Sequence, residues 1–324
     1  MKTVALPRST RRTPPLGFGC AYLTGGFEAR RSRALVDAAF DAGFRHFDVA
    51  PPYGLGTAED VLGDALRGRR DDVALVSKVG LARPDMSRGT QLKRLIATPL
   101  RRFAPDAVKA RLRRPSGPGP RPDFSPAAVE ASIAQSLRRL RTDHLDALLL
   151  HEARPADVSD ELLTLLDKRR QAGVLRTLGI ASSLDAARAI AAAAPGVFDM
   201  AQYAWSPLDP PHENLAPGLF RVTHRGLLRA FGPLRAKLAA DPALARRLCD
   251  ATGLDLTDGA VLANVLIGAT LAHNPGGLAL VGTRRKSRIF ANAQAMRDDA
   301  LFSAGAALLA ALESEKDLPA PDAR

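Results

Sequence analysis

The stretch FRHFDVAPPYGLGTAEDVLG, residues 44–63, decides the fold because it joins a short apolar run to an acid and a phenol. The run FRHFDVA predicts a buried strand, with Asp48 near its end and Tyr53 just after it. A helix is predicted from Thr57, which can act as N-cap and is followed by acids in the first turn. A buried strand that ends in titratable groups is typical of the catalytic face of a (β/α)8 barrel.

Two further apolar runs end in the same way. DVALVSK ends at Lys78, and HLDALLLHE contains His151 next to its last residue. The carboxyl ends of parallel barrel strands meet at one face of the barrel. We therefore expect Asp48, Tyr53, Lys78 and His151 to form one catalytic site.

Strand-like and helix-like segments alternate along the chain, which favours a parallel sheet and an α/β fold. Eight strands with intervening helices predict a (β/α)8 TIM barrel as a single domain over residues 1–324, with a frayed tail at 312–324. The predicted strands are 16–21, 44–50, 72–78, 144–151, 175–182, 198–204, 219–226 and 278–283. The predicted helices are 30–43, 57–68, 125–140, 159–173, 184–194, 257–274 and one that opens at 287–298.

The alternative fold is an open doubly wound sheet, which usually carries a glycine-rich phosphate motif at its first strand–helix turn. Here GFGCAYLTGG, residues 17–26, begins with G-x-G but has Tyr22 where the third glycine belongs. We therefore reject the doubly wound sheet in favour of the barrel.

Positive charge is concentrated in one segment. The chain carries a net charge of +12, and residues 81–122 hold eleven Lys/Arg against two Asp, a net charge of +9. This long basic insertion follows the third predicted strand, directly after Lys78. Two interpretations stay open: a solvated surface loop, and a mobile lid that favours anionic substrates. Nucleic acid is not an expected partner, because the segment has only Phe103 for base stacking and no recognised motif.

Cysteine usage and hydropathy indicate the compartment. Cys20 and Cys249 are far apart in sequence, so neither a disulfide framework nor a metal site is expected, and a cytoplasmic location is predicted. The N-terminus lacks the apolar core of a secretory signal, and no run of about 18 apolar residues predicts a membrane span.

The D-x4-Y pattern, a lysine at a strand end and LLLH together resemble the aldo-keto reductase superfamily. The segments LGFGCAYLTGG, ALVDAAFDAGFRHFDVAPPYGLGTAEDVLGDAL, LGIASS, AQYAWSPLD and LVGTRRKSRIFAN follow one another in the family's order. The resemblance implies a (β/α)8 barrel that reduces carbonyl compounds, or oxidises aldoses, with NAD(P)(H). The long spacing between Lys78 and His151 is similar to that of bacterial relatives that oxidise sugars such as galactose or fucose at the anomeric carbon.

The four residues suit carbonyl reduction on chemical grounds. Hydride attack builds negative charge on the carbonyl oxygen, which needs a proton donor. Tyr53 can donate, and we expect the Lys78 ammonium to lower its pKa from the usual value near 10. Asp48 would keep Lys78 charged and oriented, and His151 would orient the carbonyl. Tyr22 and Trp205 are candidates for the pocket wall.

The resemblance also implies the cofactor site, with NADP as cofactor and NAD as the alternative. Arg288 aligns with the arginine that grips the 2′-phosphate, and four cations at 284–288 suit that role. Thr223 and His224 stand near the place of the family's stacking aromatic, and Ala291 replaces a frequent acid. The expected cofactor-binding residues are Ser182, Gln202, Gly282, Thr283, Arg284, Arg288 and Asn292.

Two other functions stay open. The changed residues at 181–183 and 224 would suit a non-catalytic nicotinamide-binding module that senses redox state. A Schiff-base enzyme would use Lys78 as its nucleophile, but it leaves the D-x4-Y spacing and the cations at 284–288 unexplained.

Overall fold

The computed structural model describes residues 2–84, 121–210, 218–315 and 318–321. Two short antiparallel strands, β1 (Val4–Ala5) and β2 (Arg12–Thr13), precede a closed barrel of eight parallel strands in the order β10-β3-β4-β5-β6-β7-β8-β9. The barrel strands are β3 (Leu16–Gly19), β4 (His46–Asp48), β5 (Ala74–Val79), β6 (Leu145–His151), β7 (Leu175–Ala181), β8 (Met200–Ala204), β9 (Phe220–His224) and β10 (Leu278–Val281).

Helices surround the barrel, and most of them follow a strand, as right-handed β-α-β connections require. The helices are α1 (Ala29–Asp41), α2 (Ala58–Ala65), α3 (Pro126–Leu140), α4 (Asp160–Gln171), α5 (Leu184–Ala193), α6 (Gly226–Ala240), α7 (Pro242–Thr252), α8 (Gly259–His273), α9 (Lys286–Ala295) and α10 (Asp299–Glu313).

The register of the sheet brings the ends of β4, β5 and β6 together. Asp48 pairs with Val76, and Lys78 pairs with Leu149 on the next strand. His151 is the last residue of β6 and pairs with the last residue of β7. All three polar side chains therefore start from the same rim of the barrel.

Apolar side chains fill both sides of the strands. A cluster that includes Val76, Leu149, Met200 and Leu278 occupies the barrel interior. A larger cluster lies between the strands and the helices, so most strand residues are buried on both faces, as parallel sheets require. This packing makes the barrel a rigid support for its loops.

The barrel and its eight strands confirm the fold predicted from the sequence. Two helices, α6 and α7, were not predicted, and the terminal helix is divided into α9 and α10. Helix α10 continues to Glu313, two residues into the stretch expected to fray. Residues 85–120, most of the basic insertion, lie outside the described part of the chain. Within the part that is described, no helix has the length and apolar character needed to cross a membrane.

Candidate active site

A cavity of about 350 Å³ opens at the carboxyl ends of the barrel strands. Asp48, Tyr53, Lys78 and His151 all line it. Three of these residues come from strand ends and Tyr53 comes from the turn that follows β4. The structure thus brings together the four residues that the sequence analysis selected.

Asp48 and Lys78 form a buried ion pair at the base of the cavity. The Lys78 Nζ donates to Asp48 Oδ1 at 2.6 Å and to Oδ2 at 2.5 Å. The two residues are only 2% and 1% exposed. An ammonium bound by both oxygens of a carboxylate has no free lone pair, so this arrangement disfavours Lys78 as a Schiff-base nucleophile.

Tyr53 lies between this ion pair and His151. The Lys78 Nζ is 5.5 Å from the centre of the Tyr53 ring. The rings of Tyr53 and His151 meet edge to face, with centroids 6.0 Å apart and planes at 87°. A phenol and an imidazole therefore face the same space, where a carbonyl oxygen could contact both.

The pKa of Tyr53 differs from the sequence-based expectation. Burial raises the pKa of the Tyr53 phenol above its ordinary value near 10, and the negative charge of Asp48 raises it further. The expectation of a lowered Tyr53 pKa is therefore wrong, because burial and the negative charge of Asp48 dominate. Tyr53 is consequently protonated near neutral pH, the state that a proton donor needs.

His151 is neutral for a related reason. Burial lowers the pKa of His151 to about 3, and the positive charge of Lys78 and the proximity of His224 act in the same direction. Its Nδ1 is buried and has no hydrogen-bond partner within the described residues. A neutral imidazole can orient a carbonyl by hydrogen bonding without competing with Tyr53 as the proton source.

The turn after Tyr53 has an unusual backbone. Gly54, Leu55 and Gly56 all have positive φ angles, at 57°, 58° and 86°. A Cβ added at Gly54 would lie 1.7 Å from the carbonyl oxygen of Leu23, so only glycine fits there. Thr57 is the N-cap residue of α2, as predicted, but its hydroxyl donates to the Gly54 carbonyl at 2.6 Å and makes no capping hydrogen bond to the helix.

Four of the expected cofactor-binding residues line the same cavity: Ser182, Gln202, Gly282 and Asn292. Gln202 is 3% exposed, and its Oε1 has no hydrogen-bond partner in the described part of the chain. The Ser182 hydroxyl donates to the carbonyl of Ala153 at 2.9 Å, which leaves its lone pairs available as acceptors. A buried, unpartnered amide oxygen beside a free acceptor fits a ligand that presents an amide N–H.

The other three expected cofactor residues lie beside the cavity rather than in its wall. The Arg284 guanidinium lies over the Tyr22 ring, 5.1 Å from its centre. The Thr283 hydroxyl accepts from the backbone N–H of Arg285 at 3.2 Å. Arg288 is partly exposed in the first turn of α9, a place that suits a phosphate.

Several wall residues were missed by the sequence analysis. Glu152 and Arg225 line the cavity, and both have left-handed backbones with φ of 59° and 64°. Such strain in residues other than glycine is frequent at functional sites. Their positions in the sequence could have indicated them, because each directly follows a histidine at a strand end, His151 or His224.

Two aromatic residues were expected in the pocket wall, and only Tyr22 is found there. Trp205 is buried outside the cavity, stacked on the ring of His273 with centroids 3.6 Å apart. His224 lines the cavity, whereas Thr223 is fully buried away from it. His224 thus offers a ring near the place where the stacking aromatic was expected.

The first cation of the basic insertion does not fit the interpretation of a loop whose charges are all exposed to solvent. Arg83, its first cation, has a side chain that is only 8% exposed and forms an ion pair with Glu59 of α2. Arg121 at the other end is exposed. The remaining nine cations lie outside the described residues, so the lid hypothesis stays a prediction.

Comparison with known proteins agrees with this geometry. The sequence profile of the aldo/keto reductase family matches residues 15–225. A D-threo-aldose 1-dehydrogenase from a Pseudomonas species is 34% identical over 177 residues, which cover 52% of this chain and 50% of that enzyme. A pyridoxal 4-dehydrogenase from Microbacterium luteolum is 44% identical over 80 residues, 24% of this chain and 23% of that enzyme. The matched region thus spans half or less of these relatives.

Solved structures share the fold. The aldo-keto reductase AKR11C1 from Bacillus halodurans, in its holo form, has a TM-score of 0.66 at 23% identity and covers 95% of this chain and 96% of its own. An aldo/keto reductase from Klebsiella pneumoniae, solved with NADP and acetate, has a TM-score of 0.64 at 24% identity, with 92% and 90% covered. At sequence identities of 23% and 24%, these matches show a shared barrel fold and nothing further.

Proposed function

The chain belongs to the aldo/keto reductase family of oxidoreductases, and on that premise we propose that it interconverts carbonyl compounds and alcohols with NADP(H). The observation that carries the proposal is the convergence of Tyr53, His151 and the Asp48–Lys78 ion pair in one cavity. Each residue alone would suit an ordinary structural role. Together they supply a proton donor, a hydrogen-bonding imidazole and a fixed charge pair around one small space.

Tyr53 is the proposed general acid in reduction and general base in oxidation. Its raised pKa keeps the phenol protonated until negative charge develops on the carbonyl oxygen. The neutral His151 orients that oxygen, and the ion-paired Lys78 holds its ammonium 5.5 Å from the centre of the Tyr53 ring. Asp48 fixes the lysine, which has no freedom to move within the buried pair.

The nicotinamide cofactor supplies the hydride when it is bound. Gln202 and Ser182 would hold its carboxamide, as the unpartnered Gln202 oxygen and the free lone pairs of Ser182 suggest. Asn292 would contact the adenine, and Arg288 would bind the 2′-phosphate. Gly282, Thr283 and Arg284 would complete the phosphate-binding segment. The NADP found with the Klebsiella relative supports this choice over NAD.

The substrate is proposed to be a small aldehyde, ketone or aldose. The similarity to a D-threo-aldose 1-dehydrogenase supports the oxidation of aldoses to lactones as one direction of the reaction. The cavity of about 350 Å³ is large enough for a small substrate beside a bound nicotinamide.

The direct test is a screen of aldehydes and aldoses in which NADPH oxidation or NADP reduction is followed at 340 nm. Turnover of at least one carbonyl–alcohol pair, abolished by Tyr53→Phe, is the expected result. Tight NADPH binding without turnover of any substrate would contradict the proposal and favour the non-catalytic sensing module.

A further inference from the structure

We propose that Arg83 and Glu59 are positioning residues that fix Tyr53 relative to Lys78, an inference that rests on the proposed role of Tyr53 as proton donor. Neither residue lines the cavity. Both contact residues close in sequence to the catalytic ones, Gly56 and Ser77, rather than the substrate.

The turn that carries Tyr53 has a backbone that its surroundings must hold in place. Three consecutive left-handed residues follow the tyrosine, and Leu55 among them has a Cβ that disfavours this conformation. Such a backbone persists only where its surroundings hold it. Two side chains bind its carbonyl groups: Thr57 binds that of Gly54, and Arg83 binds that of Gly56.

The Arg83 guanidinium is itself fixed by three acceptors. Its Nη1 donates to the Gly56 carbonyl, its Nη2 donates to the Glu59 carboxylate, and its Nε donates to Gln135 Oε1 at 3.3 Å. The Arg83 side chain is 8% exposed, and that of Glu59 is fully buried. A planar guanidinium can serve these separate acceptors at once, which a lysine ammonium on a flexible stem cannot do in the same geometry.

Glu59 connects Arg83 to the strand that carries Lys78. The second carboxylate oxygen of Glu59, Oε1, accepts from the Ser77 hydroxyl at 2.8 Å. Ser77 is the residue directly before Lys78 on β5, and both are buried. One carboxylate therefore ties the strand that carries Lys78 to the arginine that holds the Tyr53 turn. The distance between the two catalytic side chains depends on this link.

The test compares Arg83→Met, Arg83→Lys and the double variant Glu59→Gln/Arg83→Met with Arg169→Met. Arg169 is a matched control because it also pairs with a glutamate, Glu130, but between the outer helices α3 and α4. Arg83→Met leaves the Glu59 charge buried without its partner and could impair folding. The double variant removes that charge and tests the turn alone.

Two readouts separate positioning from stability. The chain has three tyrosines, Tyr22, Tyr53 and Tyr203, so NMR of ¹³C-tyrosine-labelled protein can follow Tyr53 without any substrate. The Tyr53 resonance should shift in Arg83→Met and in the double variant, while those of Tyr22 and Tyr203 stay in place. Steady-state kinetics should give a kcat at least tenfold lower with a KM for NADPH within about twofold, and Arg83→Lys should fall between wild type and Arg83→Met.

Arg169→Met should change neither readout. A Tyr53 resonance at its wild-type position in the folded double variant, with kcat within twofold of wild type, would overturn the inference. If the wild-type protein turns over no carbonyl compound, the proposed function fails, and the NMR comparison still decides whether Arg83 positions Tyr53.

Discussion

Breaking the Asp48–Lys78 ion pair from one side should destabilise the protein more than removing both charges. Lys78→Met leaves the Asp48 carboxylate buried without its counter-charge, and Asp48→Asn leaves the Lys78 ammonium in the same state. With exposures of 1–2% and contacts of 2.5–2.6 Å, water cannot compensate either loss. We expect each single variant to lose about 3–5 kcal/mol of unfolding free energy.

The double variant Asp48→Asn/Lys78→Met should be more stable than either single variant. It buries no uncompensated charge, and both replacements are close in shape to the originals. Its kcat should nevertheless stay as low as that of the single variants, because the Lys78 ammonium that lies beside the Tyr53 ring is gone. Recovery of stability without recovery of activity would separate the structural role of the pair from its catalytic role.

Urea unfolding followed by tryptophan fluorescence is the assay. The chain has a single tryptophan, and Trp205 is 1% exposed, so its emission reports on the core. Additive losses, with the double variant as unstable as the sum of the single variants, would refute the reasoning that an uncompensated buried charge is what costs stability.

Three further predictions concern pH, the cofactor and the basic insertion. Burial lowers the pKa of His46 to about 4 and those of His151 and His224 to about 3. The unfolded chain takes up these protons near pH 6.5, whereas the folded protein does not. The free energy of unfolding should therefore fall by about 2 kcal/mol per histidine as the pH drops from 7.5 to 5. An unfolding free energy that stays constant over that range would contradict the lowered pKa values. Arg288→Ala should weaken NADPH binding by about 1–3 kcal/mol and leave NADH binding nearly unchanged, as measured by fluorescence titration. Equal losses for the two cofactors would show that Arg288 does not bind the 2′-phosphate. Replacement of residues 81–122 by a Gly/Ser linker that retains Arg83 should lower kcat/KM selectively for carboxylated aldehydes, with an effect that shrinks as salt rises; equal behaviour of neutral and anionic substrates would favour the solvated loop.

The proposed catalytic residues could be predicted to lie together because a barrel brings the ends of its strands to one rim. Asp48, Lys78 and His151 each stand near the end of an apolar run, and parallel strands bring those ends to one rim. Gln202 was expected only from the resemblance to the family, and the structure places it on β8 in the wall of the same cavity.

Other features depend on contacts between residues that are distant in sequence, which no local sequence pattern predicts. Arg83 and Glu59 are 24 positions apart, and nothing in either segment indicates that the turn after Tyr53 needs a buried guanidinium. The pKa of Tyr53 is raised by burial and by the charge of Asp48, and both effects require the folded geometry. Helix α6 was missed because it contains Pro233, a residue that ordinarily ends helices.

The most direct test of the account is the effect of Tyr53→Phe on hydride transfer and on cofactor binding, measured in the same preparation. The substitution removes one oxygen from a buried ring and leaves the Asp48–Lys78 pair intact. The account predicts that kcat falls at least about 100-fold, the usual contribution of a positioned general acid, while the Kd for NADPH stays within about twofold of wild type. Turnover near the wild-type rate in the folded variant would contradict the assignment of Tyr53 as the proton donor.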